Sequence, residues 1–316
     1  MKKPFPRKLR SPLVSVVVTI YNEAKVVEEA IRTLLAQSYK KIELILVDNG
    51  STDRTMEILE NYRKTSRVRI LHLPKNLGPG GGRNAGAKIA KGEILIFIDA
   101  DMVFDKNYLK GLLVPVLAGK ATGSFHDTEL VKNVDKVWAR AFSMNRVENP
   151  GETSGVFRAV LRDAFLSTGG FDTSKGYFDD GLGGIGPSVR AHAKCYHNNP
   201  EHLGEILKHS RWVGRSMIQD THNRRRFGTG VVVSWLGIVA FITLPFAGYA
   251  RLFGMLALIA LALLLLFVLI KGVKRAMKDG YPEFIITVSI VWLVRIAGYW
   301  LGASGEIVRR TFGSKR

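Results

Sequence analysis

The chain has one cysteine, Cys195, in 316 residues, so no internal disulfide can form and no cysteine metal site is expected. It is also short of acid: 27 Asp and Glu stand against 46 Lys and Arg, a formal charge of +19. Such a balance attracts anionic partners (nucleic acid, anionic lipid, phosphorylated ligands) without fixing a fold. The N-terminus is basic but has no apolar h-region ahead of the folded domain, so no secretory signal is expected. The glycine-rich run Gly78–Gly86 is not followed by the Gly-Lys-Ser/Thr of a Walker loop. Its place after the third strand and its glycine order also exclude a dinucleotide fingerprint.

The charge that is present sits beside apolar segments. Basic residues crowd the first ten positions, Arg224-Arg225-Arg226 precedes the first long apolar run, and Lys271, Lys274, Arg275 and Lys278 lie between later ones. Cations abutting apolar spans are the positive-inside signature, which favours anionic phospholipid as a partner over nucleic acid. Segments 228–249 and 252–270 are each long enough to cross about 30 Å of hydrocarbon, and only Ala250 and Arg251 separate them, as in a tight hairpin. Segment 282–303 is a third, interrupted by Arg295. The expected organisation is a basic arm at 1–12, a catalytic domain at 13–227, a transmembrane region at 228–304 and a basic tail at 305–316. That is a multi-pass protein of the cell membrane with a cytoplasmic catalytic domain. Three full spans would place the basic tail opposite that domain, so either the third segment is tilted or re-entrant, or the tail is exported. Arg295, Gly298 and Gly302 are expected to pack on the 228–270 hairpin or on a neighbouring subunit, which would give a homo-oligomer through the transmembrane helices.

The first 100 residues alternate strand-like and helix-like patterns. Strands are expected at 14–20, 42–47, 68–73 and 94–98, and helices at 23–37, 53–64 and 82–90. Such alternation predicts an α/β fold with a parallel sheet covered on both faces. Ligands of such sheets bind beyond the carboxyl ends of the strands. Three polar groups follow apolar strands there: Tyr21-Asn22-Glu23, Asp48-Asn49-Gly50-Ser51 and Asp99-Ala100-Asp101. Two carboxylates two residues apart at a strand mouth suit a hard divalent cation, Mg²⁺ or Mn²⁺, on diphosphate oxygens. Arg83 and Asn84 lie in the glycine-rich helix entry, where backbone N–H groups and a guanidinium meet a phosphate or base. Asp179-Asp180 follows Gly169-Gly-Phe-Asp172, and a carboxylate there suits a general base on an acceptor hydroxyl.

In order, Val16-Val-Val-Thr-Ile-Tyr-Asn-Glu23, Val47-Asp-Asn-Gly-Ser-Thr-Asp53, Asn76 to Gly86 with Arg83-Asn84, Gly92-Glu93 to Asp99-Ala-Asp101, Gly169-Gly-Phe-Asp172 and Asp179-Asp180 resemble the family 2 glycosyltransferases of the GT-A fold, across about residues 13–215. The resemblance implies a doubly wound, Rossmann-like catalytic domain followed by C-terminal transmembrane helices. It implies a nucleotide-sugar pocket lined by Ile20, Tyr21, Glu23, Asp48 and Arg83. Asp99 and Asp101 would face ribose and metal, and Asp180 would be the base of an inverting displacement. His197 stands where such enzymes place a late histidine ligand to the metal. Two departures follow. The acidic pair reads Asp-Asp, leaving the division of labour between Asp179 and Asp180 open. The Gln-x-x-Arg-Trp of processive synthases survives only as Arg211-Trp212. Arg158 and Arg162 are candidates for an acceptor phosphate, and Trp212 for sugar stacking or the membrane interface. The function expected is hexosyl transfer from a UDP- or GDP-sugar to a lipid-linked acceptor. The alternatives are a polysaccharide-extending synthase and a non-catalytic membrane scaffold.

Overall fold

The computed structural model describes residues 8–142, 158–173, 185–219 and 250–312. They divide into two compact units, Met1–Asn133 with Asn145–Asn199, and Val134–Met144 with Pro200–Arg316.

In the first unit, β-branched runs form β1 (Val14–Ile20), β2 (Ile42–Asp48), β3 (Val68–His72) and β4 (Ile94–Asp99). These four strands are parallel, in the order β3-β2-β1-β4. Their connections are α1 (Val27–Leu35), α2 (Thr55–Glu60) and α3 (Gly78–Ile89). Side-chain alternation explains how both faces are covered. Val14, Val16, Val18, Leu44, Leu46, Ile94, Ile96 and Ile98 pack on one side with Val27, Ile31 and Leu34 of α1. Val17, Ile45, Val47, Leu95 and Phe97 pack on the other with Ala87 of α3. With period-two side chains, such strands read as unbroken apolar runs because both faces are buried.

The sheet does not stay parallel. It continues through β7 (Ala159–Leu161), β6 (Gly123–Val131), β8 (Ser188–His197) and β5 (Met102–Phe104), eight strands among the described residues. β7 runs antiparallel to both β4 and β6, and β5 antiparallel to β8, while β6 and β8 are parallel. The parallel sheet expected from the first 100 residues is therefore one half of a larger, mixed sheet. The later strands are short or polar on one face, so their periodicity carries little signal. Helix α4 (Tyr108–Leu117) buries Tyr108, Leu109, Leu112 and Leu113 under this half, and α6 (Arg162–Ser167) follows β7 directly.

The second unit contains α5 (Val137–Phe142), α7 (Leu203–Gln219), α8 (Ala250–Asp279) and α9 (Phe284–Phe312). Phe142, Ile206, Phe284, Val288 and Val291 form its core. Segment 228–249 lies outside the described residues. Segment 252–270 lies within α8, whose Leu256, Leu261, Leu263, Leu265, Leu266 and Leu269 are exposed. Segment 282–303 lies within α9, which runs on to Phe312 and so takes in part of the basic tail. By length and composition, α9 is a helix able to cross a membrane. Gly298 and Gly302 face α7: a Cβ on Gly298 would lie 2.5 Å from the Ser210 Cβ, and one on Gly302 1.9 Å from the Arg211 carbonyl oxygen. The expectation that this face meets the hairpin is thereby corrected, since α7 occupies it.

Candidate active site

Register gathers several of the candidate residues on one edge. Ile20 pairs with Asp48 and Thr19 with Asp99, so the carboxyl ends of β1, β2 and β4 lie side by side. Ile20 is buried and Tyr21, one residue beyond it, is exposed. Asn22 takes a left-handed backbone, φ 57°, a conformation asparagine tolerates better than most residues. Its side-chain oxygen accepts hydrogen bonds from the main-chain N–H of Thr52 and Asp53. Its own N–H, and that of Glu23, donate to the hydroxyls of Ser51 and Thr55. The two strand ends are thus tied by a polar lattice.

Asp48 is fully buried. One oxygen accepts the Ser51 N–H at 3.1 Å, and the other lies 2.6 Å from Nδ1 of His72, whose side chain is exposed. Beside it, Asn49 accepts the Leu77 N–H and donates to the Gly78 carbonyl, which fixes the start of α3. That helix begins at Gly78, four residues before the expected 82–90 helix. Its glycines serve close packing, because a Cβ on Gly82 would lie 2.4 Å from Cγ2 of Thr19 and one on Gly86 2.4 Å from Cγ1 of Val17.

The close approach of α3 delivers Arg83, which is 5% exposed, to Asp99. Nη2 of Arg83 lies 2.9 Å from one Asp99 oxygen, and Nη1 of the equally buried Arg158 lies 2.7 Å from the other. Burial alone would raise the Asp99 pKa. The charges of Arg158 and then Arg83 outweigh it and hold the carboxyl far below its usual range. Burial would likewise lower Arg158, but Asp99 holds it above the ordinary guanidinium value. Arg158, expected at an acceptor phosphate, has its guanidinium on Asp99. Arg162 opens α6 and its main-chain N–H donates to the Glu93 carbonyl.

Asp101 lies at the β4–β5 junction, and Oδ2 is 3.2 Å from Nε2 of His197 at the end of β8. Nδ1 of His197 lies 3.0 Å from the Asn198 carbonyl. A carbonyl only accepts, so Nδ1 carries the proton, and Nε2 is the nitrogen that faces Asp101. A carboxylate oxygen and an imidazole nitrogen that converge in this way could both bind a divalent cation, and these donor types are compatible with the expected Mg²⁺ or Mn²⁺.

Behind Asp99 and Arg158 runs a polar group that spacing does not reveal. The Tyr108 hydroxyl lies 3.0 Å from Nδ1 of His126, whose Nε2 lies 3.2 Å from Glu129. Cys195 joins them, its sulfur 3.7 Å from Nδ1 of His126. Burial pushes the His126 pKa down, and the Glu129 hydrogen bond only partly opposes it. In the Gly-Gly-Phe-Asp segment, Phe171 packs on Phe97 and Phe165, and the Arg83 guanidinium lies over its ring. Asp179 and Asp180 lie outside the described residues. Arg211 and Trp212 are exposed on α7 of the second unit.

A mixed sheet with carboxylates at its strand ends, one clamped by two arginines, defines an α/β fold of the GT-A type. A mannosyltransferase from Pyrobaculum calidifontis, solved with GDP-Man and Mn²⁺, shares the fold at a TM-score of 0.54 and 21% identity, over 95% of this chain and 91% of that one. The sequence model of glycosyl transferase family 2 matches residues 15–173, and the chain belongs to that family. Glycosyltransferase GlyG of Streptococcus pneumoniae is 41% identical over 103 residues, 32% of this chain and 34% of GlyG. An uncharacterized glycosyltransferase of Haemophilus influenzae is 40% identical over 94 residues, 29% of this chain and 38% of the relative. The chain thus spans under two-fifths of the length of these curated relatives.

Proposed function

We propose that the protein transfers a hexose from a UDP- or GDP-sugar to a lipid-linked acceptor at the cytoplasmic face of the cell membrane, with inversion and with a divalent cation. One observation carries the donor half: Arg83 and Arg158 fix Asp99 beside the Asp101–His197 pair, at the edge where β1, β2 and β4 end. With both its oxygens held by arginines, Asp99 is fixed in place at this edge, where it would face the donor ribose. Asp101 and His197 would hold Mg²⁺ or Mn²⁺, which when bound supplies charge neutralisation for the departing nucleotide diphosphate. Tyr21, exposed beyond β1, would lie against the base, with Ile20, Glu23, Asp48 and Arg83 completing the pocket. Asp180, or its neighbour Asp179, would take the acceptor proton. Positioning and preorganised charge would supply most of the rate.

The acceptor half rests on the apolar helices. Helix α9, able by length and composition to cross a membrane, and the exposed leucines along α8, followed by Lys271, Lys274, Arg275 and Lys278, support a membrane anchor with its basic boundary on the cytoplasmic side. An anchored enzyme suits an acceptor held in the bilayer. The test is release of UDP or GDP by the purified full chain in lipid nanodiscs, across a panel of nucleotide sugars, with and without EDTA. Release from one donor class that EDTA abolishes supports the donor half. Full release in EDTA, or release from no donor, contradicts it.

A further inference from the structure

In the second unit, two cations share one indole. The Lys271 ammonium on α8 lies 5.6 Å from the ring centre of Trp292 on α9, and the Arg295 guanidinium lies 5.7 Å from the same ring. Lys271 also faces Phe267 at 5.3 Å. Arg295 lies 5.1 Å from Phe142 and 5.6 Å from Tyr299, and its Nε and Nη2 donate to the Tyr299 hydroxyl at 2.9 and 2.6 Å. Among the described residues neither cation forms an ion pair. Glu283 is engaged by Arg140, and Glu306 by Arg309 and Arg310. Aromatic faces attract a cation, but they carry no net charge and leave the two like charges uncompensated.

The depth of this cluster is set by the sequence around it. Large apolar side chains are exposed along α8 as far as Ile270, and Lys271 is the first cation after them. Tryptophan together with lysine or arginine marks the boundary between hydrocarbon and headgroups. Arg295 lies three residues from Trp292, about 4.5 Å along the helix. Rings on Arg295 orient a guanidinium that is costly to bury without an anion. The anions found at that depth are lipid phosphates.

We infer that Lys271, Trp292 and Arg295 form a binding site for the phosphate group of a membrane lipid. Arg295 offers planar guanidinium donors to phosphate oxygens, and Lys271 adds a second charge. This rests on the membrane-anchored reading above, and it gives a lipid-linked acceptor a place for its phosphate.

The test is native mass spectrometry of the full chain in detergent micelles, titrated with phosphatidylglycerol, an undecaprenyl phosphate and, as the neutral-headgroup control, phosphatidylcholine. The wild type should retain at least one of the two anionic lipids in preference to phosphatidylcholine. Lys271→Gln with Arg295→Gln should lower that retention about tenfold or more. Lys271→Gln alone, on an exposed side chain, should lower it about threefold with packing intact. Preference for undecaprenyl phosphate identifies the lipid as acceptor-like, and preference for phosphatidylglycerol identifies a bilayer lipid. Unchanged retention in both variants overturns the site, as does equal retention of phosphatidylcholine or displacement by inorganic phosphate with no lipid retained. Lipid retention lost in the variants, with no lipid-linked sugar made by the wild type, would sink the acceptor reading and leave the site. Lipid-linked sugar made normally, with unchanged retention in the variants, would do the reverse.

Discussion

The Asn84 side chain holds the main chain of Phe171 from both directions, donating to its carbonyl and accepting from its N–H at 2.9 Å each. The residue before, Gly170, has φ +89°, and a Cβ there would lie 2.5 Å from the Asn84 oxygen. Gly170 is therefore what lets α3 grip the segment that leads toward Asp179 and Asp180. Asn84→Ala removes both hydrogen bonds and leaves two peptide groups without partners, at a cost of about 1–3 kcal/mol. The expected outcome is a fall of about 10- to 100-fold in kcat/KM, with donor binding largely kept. Steady-state kinetics beside nucleotide titration checks this, and wild-type turnover would contradict it.

Asp99 compensates two buried guanidinium groups at once. Removing one partner of such a cluster strands charge, which costs about 3–5 kcal/mol when fully buried. The Asp99 side chain is 32% exposed, so the lower end, about 3 kcal/mol, is expected for Asp99→Ala. Arg158→Met should cost less, because Arg83 still neutralises Asp99. Thermal unfolding of the two variants gives the order directly, and a smaller loss for Asp99→Ala would contradict the clamp.

The pH dependence has a definite sign. His126 and Asp99 have folded-state pKa values below their ordinary ones, so on acidification the unfolded chain takes up protons first. The His126 contribution is complete above about pH 6.5 and is lost as pH falls below it. That of Asp99 is complete above about pH 4–5 and is lost only at lower pH. Melting temperature should hold from pH 8 to 7 and decline below about 6.5, and His126→Asn should flatten the first part of the decline. An unchanged profile in that variant would remove His126 from the explanation.

The Asp101–His197 pair makes metal preference readable. An imidazole ligand suits Mn²⁺ better than Mg²⁺, which favours an all-oxygen shell. Activity at equal low concentration should be higher with Mn²⁺, and His197→Ala should narrow the difference. Asp101→Asn should raise the Mn²⁺ needed for half activity by about tenfold or more. Equal metal dependence in all three proteins would show that the cation is held elsewhere.

Much of the donor half is legible in the chain. Strands β1, β2 and β4 are apolar runs ended by polar clusters, and parallel register then places Ile20, Asp48 and Asp99 on one edge. What is not legible depends on long separations. Nothing near Arg158 points to Asp99, 59 residues away, and the ring of Tyr108, His126 and Glu129 closes only once α4 lies under β6. The glycines of α3 suggest a phosphate loop in sequence and act as a packing surface in three dimensions. Gly298 and Gly302 do mark a close helix contact, but sequence does not name α7 as the partner.

The central claim is tested most directly by incubating membranes that contain the full chain with radiolabelled UDP- and GDP-sugars, then partitioning the products between organic and aqueous phases. One donor should deliver label to the organic phase, with label lost in EDTA and in Asp101→Asn. Label confined to the aqueous phase for every donor, from protein that is folded and inserted, would contradict a lipid-linked acceptor.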